Sequence, residues 1–209
     1  MTDQRGIAVT LIGFSGPKRW VWLSIVLWGI GVAVGIVILL RYSNVPGAPA
    51  EPPAEWPAAA PVALSPRHST LLVFVHPQCP CSRASIGELA RIIAFCKDQV
   101  DTTVFFEVPP GAPAGFERGD LWNSAAAIPT IRVVADRNAA AARRFGARTS
   151  GQTLLYDRSG RLAFNGGITA FRGHSGDNDG RDAIVALLRG EKPRHRATPV
   201  FGCALFGES

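Results

Sequence analysis

The chain has 209 residues, 47% of them apolar, and a formal net charge of +6. That length suits one ordinary domain with accessories and leaves little room for two independent cores. The charge does not imply a nucleic-acid partner, because Arg143, Arg144, Arg148, Arg158 and Arg161 are interrupted by turns and an aspartate and carry no aromatic-interleaved binding motif. A solvated basic face accounts for them.

The densest apolar block runs from Trp20 to Leu40 without a charged residue. A bilayer core about 30 Å thick needs roughly 20 helical residues, so the block predicts a transmembrane helix over 20–41. Trp20, Trp22 and Tyr42 lie near its ends, at headgroup level, and Arg41 is placed to snorkel outward. A cleaved signal peptide fits less well, because its apolar core spans only about 7–15 residues. Arg5, Lys18 and Arg19 precede the block against Arg41 after it, which predicts a cytoplasmic tail over 1–19 and a periplasmic remainder, the inner-membrane topology of a bacterium. Gly31 and Gly35 have the spacing of a helix-dimerisation pair, but glycine is common in spans.

Residues 42–66 are rich in proline and alanine, with prolines at 46, 49, 52, 53, 57, 61 and 66, and read as an extended, semi-rigid spacer. A mixed α/β domain is expected over 67–192. Thr70–Val75 predicts a buried strand that ends at His76-Pro77. Ile86, Leu89, Ala90 and Ile93 recur at helical spacing, with Arg83, Glu88, Arg91 and Lys97 on the other faces. A second strand over Thr102–Val108, a short helix near Leu121–Ala126 and a third strand over Thr130–Val134 follow. Alanine-rich Asn138–Phe145 predicts a helix stopped by Gly146, and Gln152–Tyr156 with Leu162–Asn165 flank a hairpin turn at Asp157–Gly160. Asp179–Arg189 predicts the last helix, capped by Asp177, Asn178 or Asp179. Strands alternating with helices, then a hairpin, imply a sheet covered on both faces. The tail over 193–209 is too apolar for an ordinary solvated terminus and is a candidate to dock on the domain.

The chemistry concentrates at Cys79-Pro80-Cys81, between a buried strand and an amphipathic helix. Unpaired N–H groups and the positive helix end lower a thiol pKa there, and the thiolate is the form that attacks disulfides or binds soft metals. His76 lies close enough in sequence to raise thiolate content, move a proton or ligate metal, or it simply shapes the strand end with Pro77. Cys203 in Thr198–Cys203 is either a third redox thiol, resolving Cys79, or a tail residue packing with Phe201 and Leu205. Cys96, on the apolar side near Ile93, reads as a buried, inert thiol. His174 reads as a turn residue of a glycine-rich loop, and His68 and His195 as solvent residues.

The run Leu72–Ser82 resembles the strand, active-site loop and helix start of the thioredoxin superfamily. Phe145–Thr153 with Leu154–Gly160 is similar to the second half of membrane-anchored periplasmic thioredoxins. With Gly166–Thr169 and Arg172-Gly173-His174, these runs resemble the thioredoxin-like proteins called RedB. The resemblance implies a thioredoxin-like sheet flanked by helices and redox-active cysteines that need no cofactor. Two departures stand out. Only Pro80 separates the cysteines, where thioredoxins have two residues, so a Cys79–Cys81 bridge would be strained and labile, and Ser82 takes the usual second-cysteine position. Gln152 stands where the related fold places a cis proline.

Two functions from different classes follow. The leading expectation is a membrane-tethered periplasmic oxidoreductase acting on protein thiols or disulfides, with Cys79 attacking, Cys81 or Cys203 resolving, and His76, Pro80, Ser82 and Gln152 in support. The alternative is a Cu(I)-binding or metallochaperone module using Cys79, Cys81 and His76, for which soft sulfur is suited. A peroxide-reducing enzyme is weaker, because its threonine and arginine supports are not recognisable around Cys79.

Overall fold

The structure, a computed structural model, describes residues 17–207. Most of the cytoplasmic tail expected over 1–19 lies outside that range, as do the last two residues of the tail expected over 193–209. The chain divides into two compact units, Met1–Tyr42 and Ser43–Ser209. The first holds all but the last two residues of α1 (Pro17–Asn44), a helix long and apolar enough to cross a membrane.

The second unit is built on a five-stranded mixed sheet in the order β3-β2-β1-β4-β5, from β1 (Ser69–Val75), β2 (Val100–Val108), β3 (Ile131–Arg137), β4 (Gln152–Tyr156) and β5 (Leu162–Gly166). β1, β2 and β3 run parallel, and β4 pairs antiparallel with both β1 and β5. Helices α2 (Ser82–Phe95), α3 (Asp120–Ala126), α4 (Ala140–Arg144) and α5 (Asp179–Leu188) flank it. This is the thioredoxin-like mixed sheet that the resemblance implied. Strand alternation divides the core: Leu71, Val73 and Val75 pack with Ile86, Leu89 and Ile184 on one face, and Leu72 and Phe74 with Phe105, Phe145 and Tyr156 on the other. Central β1 is buried on both faces, which is why it reads as a continuous apolar run.

Two features depart from the reading of the sequence. Glu88, placed by periodicity off the apolar stripe of α2, is fully buried. It accepts from Arg91, from Arg181 at 2.8 Å and from the Gly176 N–H at 2.9 Å, so an ion network ties α2 to α5 where the pattern showed only a surface charge. Asn178 supplies the expected cap of α5, accepting from the Arg181 N–H at 2.7 Å.

The proline-rich stretch is the second departure. Its backbone is mostly irregular, as proline demands, but it is no free spacer. The Trp56 N–H donates to the Gly160 carbonyl at 2.7 Å, the Leu162 N–H to Ala54 at 2.8 Å and the Tyr156 hydroxyl to Pro53 at 2.9 Å. The Trp56 ring meets Phe145 and Tyr156 edge to face, each with centroids 5.1 Å apart. Proline frequency signals extended backbone, and whether that backbone docks is decided by Trp56 and the aromatic face it meets. Trp56→Ala is expected to lower unfolding stability by about 2–3 kcal/mol, less than for a fully buried tryptophan. A thermal melt unchanged from wild type would show that this packing is energetically idle.

Candidate functional site

β1 delivers the chain to the site, and a compact turn holds it there. The Cys79 N–H donates to the His76 carbonyl at 3.1 Å, and the Gln78 N–H to His76 Nδ1 at 3.2 Å. The Ser82 N–H then donates to Cys79 at 3.1 Å and the Ala84 N–H to Cys81 at 3.2 Å, leading into α2. Cys81 occupies the N-cap position and makes no side-chain cap bond, so the positive end of α2 is turned toward the cysteines without a serine- or aspartate-type cap. Pro80 is exposed within this turn, where it forfeits no helical hydrogen bond.

The C-terminal tail brings in a third cysteine. The Ser150 N–H donates to the Cys203 carbonyl at 2.8 Å, the Leu205 N–H to Arg148 at 2.9 Å, and Thr149 bridges Ala204 in antiparallel sense. Gly202 makes this approach possible, because a Cβ there would sit 1.9 Å from the Ser150 carbonyl oxygen. Leu205 is buried in the core face formed by Phe145 and Tyr156. Cys203 therefore meets Cys79 from a segment far along the chain, and Arg172 Nη1 donates to the neighbouring Gly202 carbonyl at 2.6 Å.

The three thiols are not equivalent. Burial pushes Cys79 up, but hydrogen bonds from the Ser82 hydroxyl, from the backbone and thiol of Cys203 and from the Ser82 backbone outweigh it and bring the thiol down to about 7. Burial and the charge of Cys79 raise Cys81, against a hydrogen bond from Arg172. Cys203 is pushed up to about 11 by burial and by its hydrogen bond to Cys79. Of the three, Cys79 is therefore the thiol that ionises most readily, with two less acidic thiols beside it. Ser82 is itself held by Ser150, their hydroxyls 2.7 Å apart, and Ser150 Oγ accepts from the His76 N–H at 2.7 Å. Ser82→Ala is expected to return the Cys79 thiol toward its ordinary 9, read from the pH dependence of ultraviolet thiolate absorbance. An unmoved midpoint would remove Ser82 from the site.

The remaining residues weighed for the site have other partners. Gln152 is buried in β4 and donates its amide to Asn165 at 2.6 Å, so its side chain serves the β4–β5 pair. Ser150, two residues earlier, makes the contact to the cysteine loop. No cis peptide occurs among the described residues. His174 stacks on Phe171, with centroids 4.1 Å apart. Cys96 is fully buried at the end of α2, and burial raises its thiol. His76 directs Nε2 to Glu107, at 3.9 Å, and burial lowers its pKa. Glu107 is only 3% exposed, and burial together with the charge of Asp136 raises it to about 7. Sequence reasoning missed Ser150, Arg172 and Glu107. Glu107 was signalled as a single charge inside the apolar run Val104–Val108, and Ser150 and Arg172 only by lying in runs that carry the resemblance.

Among the described residues, no group of three or more His, Cys, Asp or Glu side chains has the arrangement of a metal site. No protein-family model matches the chain, and no curated relative does. Solved structures do. A hypothetical protein from Sinorhizobium meliloti superposes with a TM-score of 0.57 at 19% identity, covering 78% of this chain and 94% of its own. An uncharacterised conserved protein from Geobacillus kaustophilus gives 0.57 at 19% identity, covering 79% and 95%. A surface-exposed lipoprotein thioredoxin from Streptococcus pneumoniae covers 59% of this chain and 85% of its own at 19% identity, with a TM-score of 0.42 that adds no weight. At these identities the likeness concerns the fold alone.

Proposed function

We propose that this chain is a membrane-tethered thiol-disulfide oxidoreductase of the RedB type, exchanging disulfides with protein cysteines in the periplasm. One observation carries the reading: Cys79, at the start of α2, has its thiol brought down to about 7 and is flanked by Cys81 and Cys203. Cys79 thiolate attacks a substrate disulfide, releases one substrate thiolate, and is held as a mixed disulfide. A second cysteine, Cys81 or Cys203, attacks the Cys79 sulfur and releases the other substrate thiolate. The substrate gains two electrons, the cysteine pair loses them, and the pair's protons pass to the departing thiolates. The reverse sequence oxidises a dithiol. Pro77, Gln78, Cys79, Pro80, Arg83, Asp120 and Leu121 line an open hollow of about 250 Å³ in which a substrate cysteine reaches the sulfur.

Tethering is supported by the length and apolarity of α1, and the periplasmic side by Lys18 and Arg19 in its first turn against Arg41 in its last. The Cu(I) reading gains no specific support, because the His76 ring is engaged by the Gln78 N–H and faces Glu107. The test is exchange with an aromatic disulfide whose released thiolate is coloured, followed against pH. The rate is expected to rise about tenfold per pH unit up to pH 7 and then level off, tracking the thiolate fraction of Cys79. A rate still rising tenfold per unit through pH 8 would contradict the assignment of Cys79.

A further inference from the structure

The C-terminal tail does more at this site than cover it. It is fixed on both sides of Cys203: Gly202 carries the carbonyl that accepts from Arg172 at 2.6 Å, and Leu205 is bonded to Arg148 and buried. The Ser150 N–H holds the carbonyl of Cys203 itself. The same Arg172 guanidinium hydrogen-bonds the Cys81 thiol. Resting on the reading of Cys79 as the attacking thiol, we infer that Cys203 is the thiol that resolves the Cys79 mixed disulfide, and that Arg172 is the positioning residue that holds it there.

The Cys81 thiol also hydrogen-bonds Cys79, but only Pro80 separates the two residues, and a disulfide closing so short a ring departs from relaxed geometry. A disulfide needs the two Cβ atoms about 3.8 Å apart. Joining Cys79 to Cys81 therefore requires the turn held by the Ser82 and Ala84 N–H groups to open. Cys203 comes from a separate segment and needs no such opening. Direction of approach agrees: the hollow beside Cys79 is lined by residues of the cysteine loop, α2 and α3 and by no tail residue among those described. A substrate sulfur in that hollow and Cys203 on the tail reach the Cys79 sulfur from different sides, as in-line displacement requires.

The electrostatics set the order of events. Burial favours the neutral Cys203 thiol throughout, and while Cys79 is a thiolate its hydrogen bond and its charge are two further influences in the same direction. Once Cys79 is bonded to substrate both influences vanish, and the Arg172 charge that favours a Cys203 thiolate remains. Cys203 then attacks the Cys79 sulfur, the Cys79–Cys203 bond forms, the bond to substrate breaks, and the substrate sulfur leaves and takes the proton that Cys203 gave up. Arg172 thus acts through the tail and the neighbouring thiols without touching substrate.

Glutathione disulfide is the probe. The full-length chain, solubilised in mild detergent, is mixed with it, quenched in acid at intervals, alkylated and mapped by peptide mass spectrometry. Wild type is expected to pass through a Cys79–glutathione adduct to a Cys79–Cys203 disulfide, and Cys203→Ser to accumulate the adduct at least about tenfold over wild type. Arg172→Gln is expected to slow resolution several-fold and raise the pH at which it occurs, with Arg172→Lys restoring part of both. A wild-type disulfide between Cys79 and Cys81 would overturn the inference and leave the oxidoreductase reading standing. Resolution in Arg172→Gln at the wild-type rate and pH would remove the arginine from the device. Absence of any Cys79 adduct would sink the oxidoreductase reading and this inference with it. Wild-type mapping decides the pairing even where a variant folds poorly.

Discussion

Cys79→Ser is expected to reduce disulfide exchange by at least about a thousandfold, because a serine hydroxyl does not ionise in the accessible pH range and forms no disulfide. The fold has no reason to change with it. Cys79 is 3% exposed, and oxygen replaces sulfur in a turn held by backbone hydrogen bonds that survive the substitution. Far-ultraviolet circular dichroism and the thermal melt should therefore stay close to wild type while the coloured exchange assay falls to background. Losing Cys203 instead leaves the first attack possible, because the Ser82 hydroxyl and backbone still contact Cys79. A Cys79→Ser protein that retained more than about a tenth of wild-type exchange would place the nucleophile elsewhere.

The second large effect concerns stability. Glu107 lies on β2 with Oε2 lacking a hydrogen-bond partner among the described residues, and burial followed by the Asp136 charge raises its carboxyl from 4.5 to about 7. Its folded pKa exceeds its unfolded one, so the stability it contributes is complete below pH 4.5 and is lost as pH rises through 7. The shift corresponds to about 3 kcal/mol. Two neighbours titrate nearby. Burial lowers His76, which opposes this trend, whereas Asp136, also raised by burial, likewise loses its contribution as pH rises. Comparison with Glu107→Gln isolates the carboxyl, since glutamine keeps the size and approximates the neutral acid. The variant is expected to match wild type at pH 4.5 and to exceed it by up to about 3 kcal/mol at pH 8, measured by chemical denaturation. Cys79 works in the other direction: its thiol is depressed from 9 to about 7, so it adds stability present above pH 9 and lost as pH falls through 7. Equal stability of wild type and Glu107→Gln at both pH values would contradict the charge state assigned to Glu107.

Much of this fold was legible because its signals are local. Buried β1 reads as an apolar run, the face of α2 shows at helical spacing, and the β4–β5 hairpin is marked by Asp157–Gly160. Edges moved where end residues are tolerant: β3 extends to Arg137, and the alanine-rich helix shortens to Ala140–Arg144. What stayed hidden depends on pairings across long separations. Nothing near Glu88 in the chain announces Arg181, and no proline count reveals that Trp56 meets Phe145 and Tyr156. The site divides the same way. Cys79, Cys81 and Ser82 announce themselves as a strand-to-helix motif, whereas Arg172 and Ser150 become site residues only when folding brings the tail and the start of β4 to the cysteine loop. Gln152 was drawn into the site by its neighbourhood in sequence. Its amide donates to Asn165 across the β4–β5 pair, and Ser150, in the turn before β4, makes the contact to the cysteine loop.

The most direct test of the central claim is a redox titration of the chain against glutathione buffers, with peptide mass spectrometry reporting the state of every cysteine at each ratio. The account predicts a reversible two-electron conversion in which Cys79 pairs with Cys203 while Cys96 stays reduced throughout. A Cys79 that forms no disulfide at any ratio would contradict it.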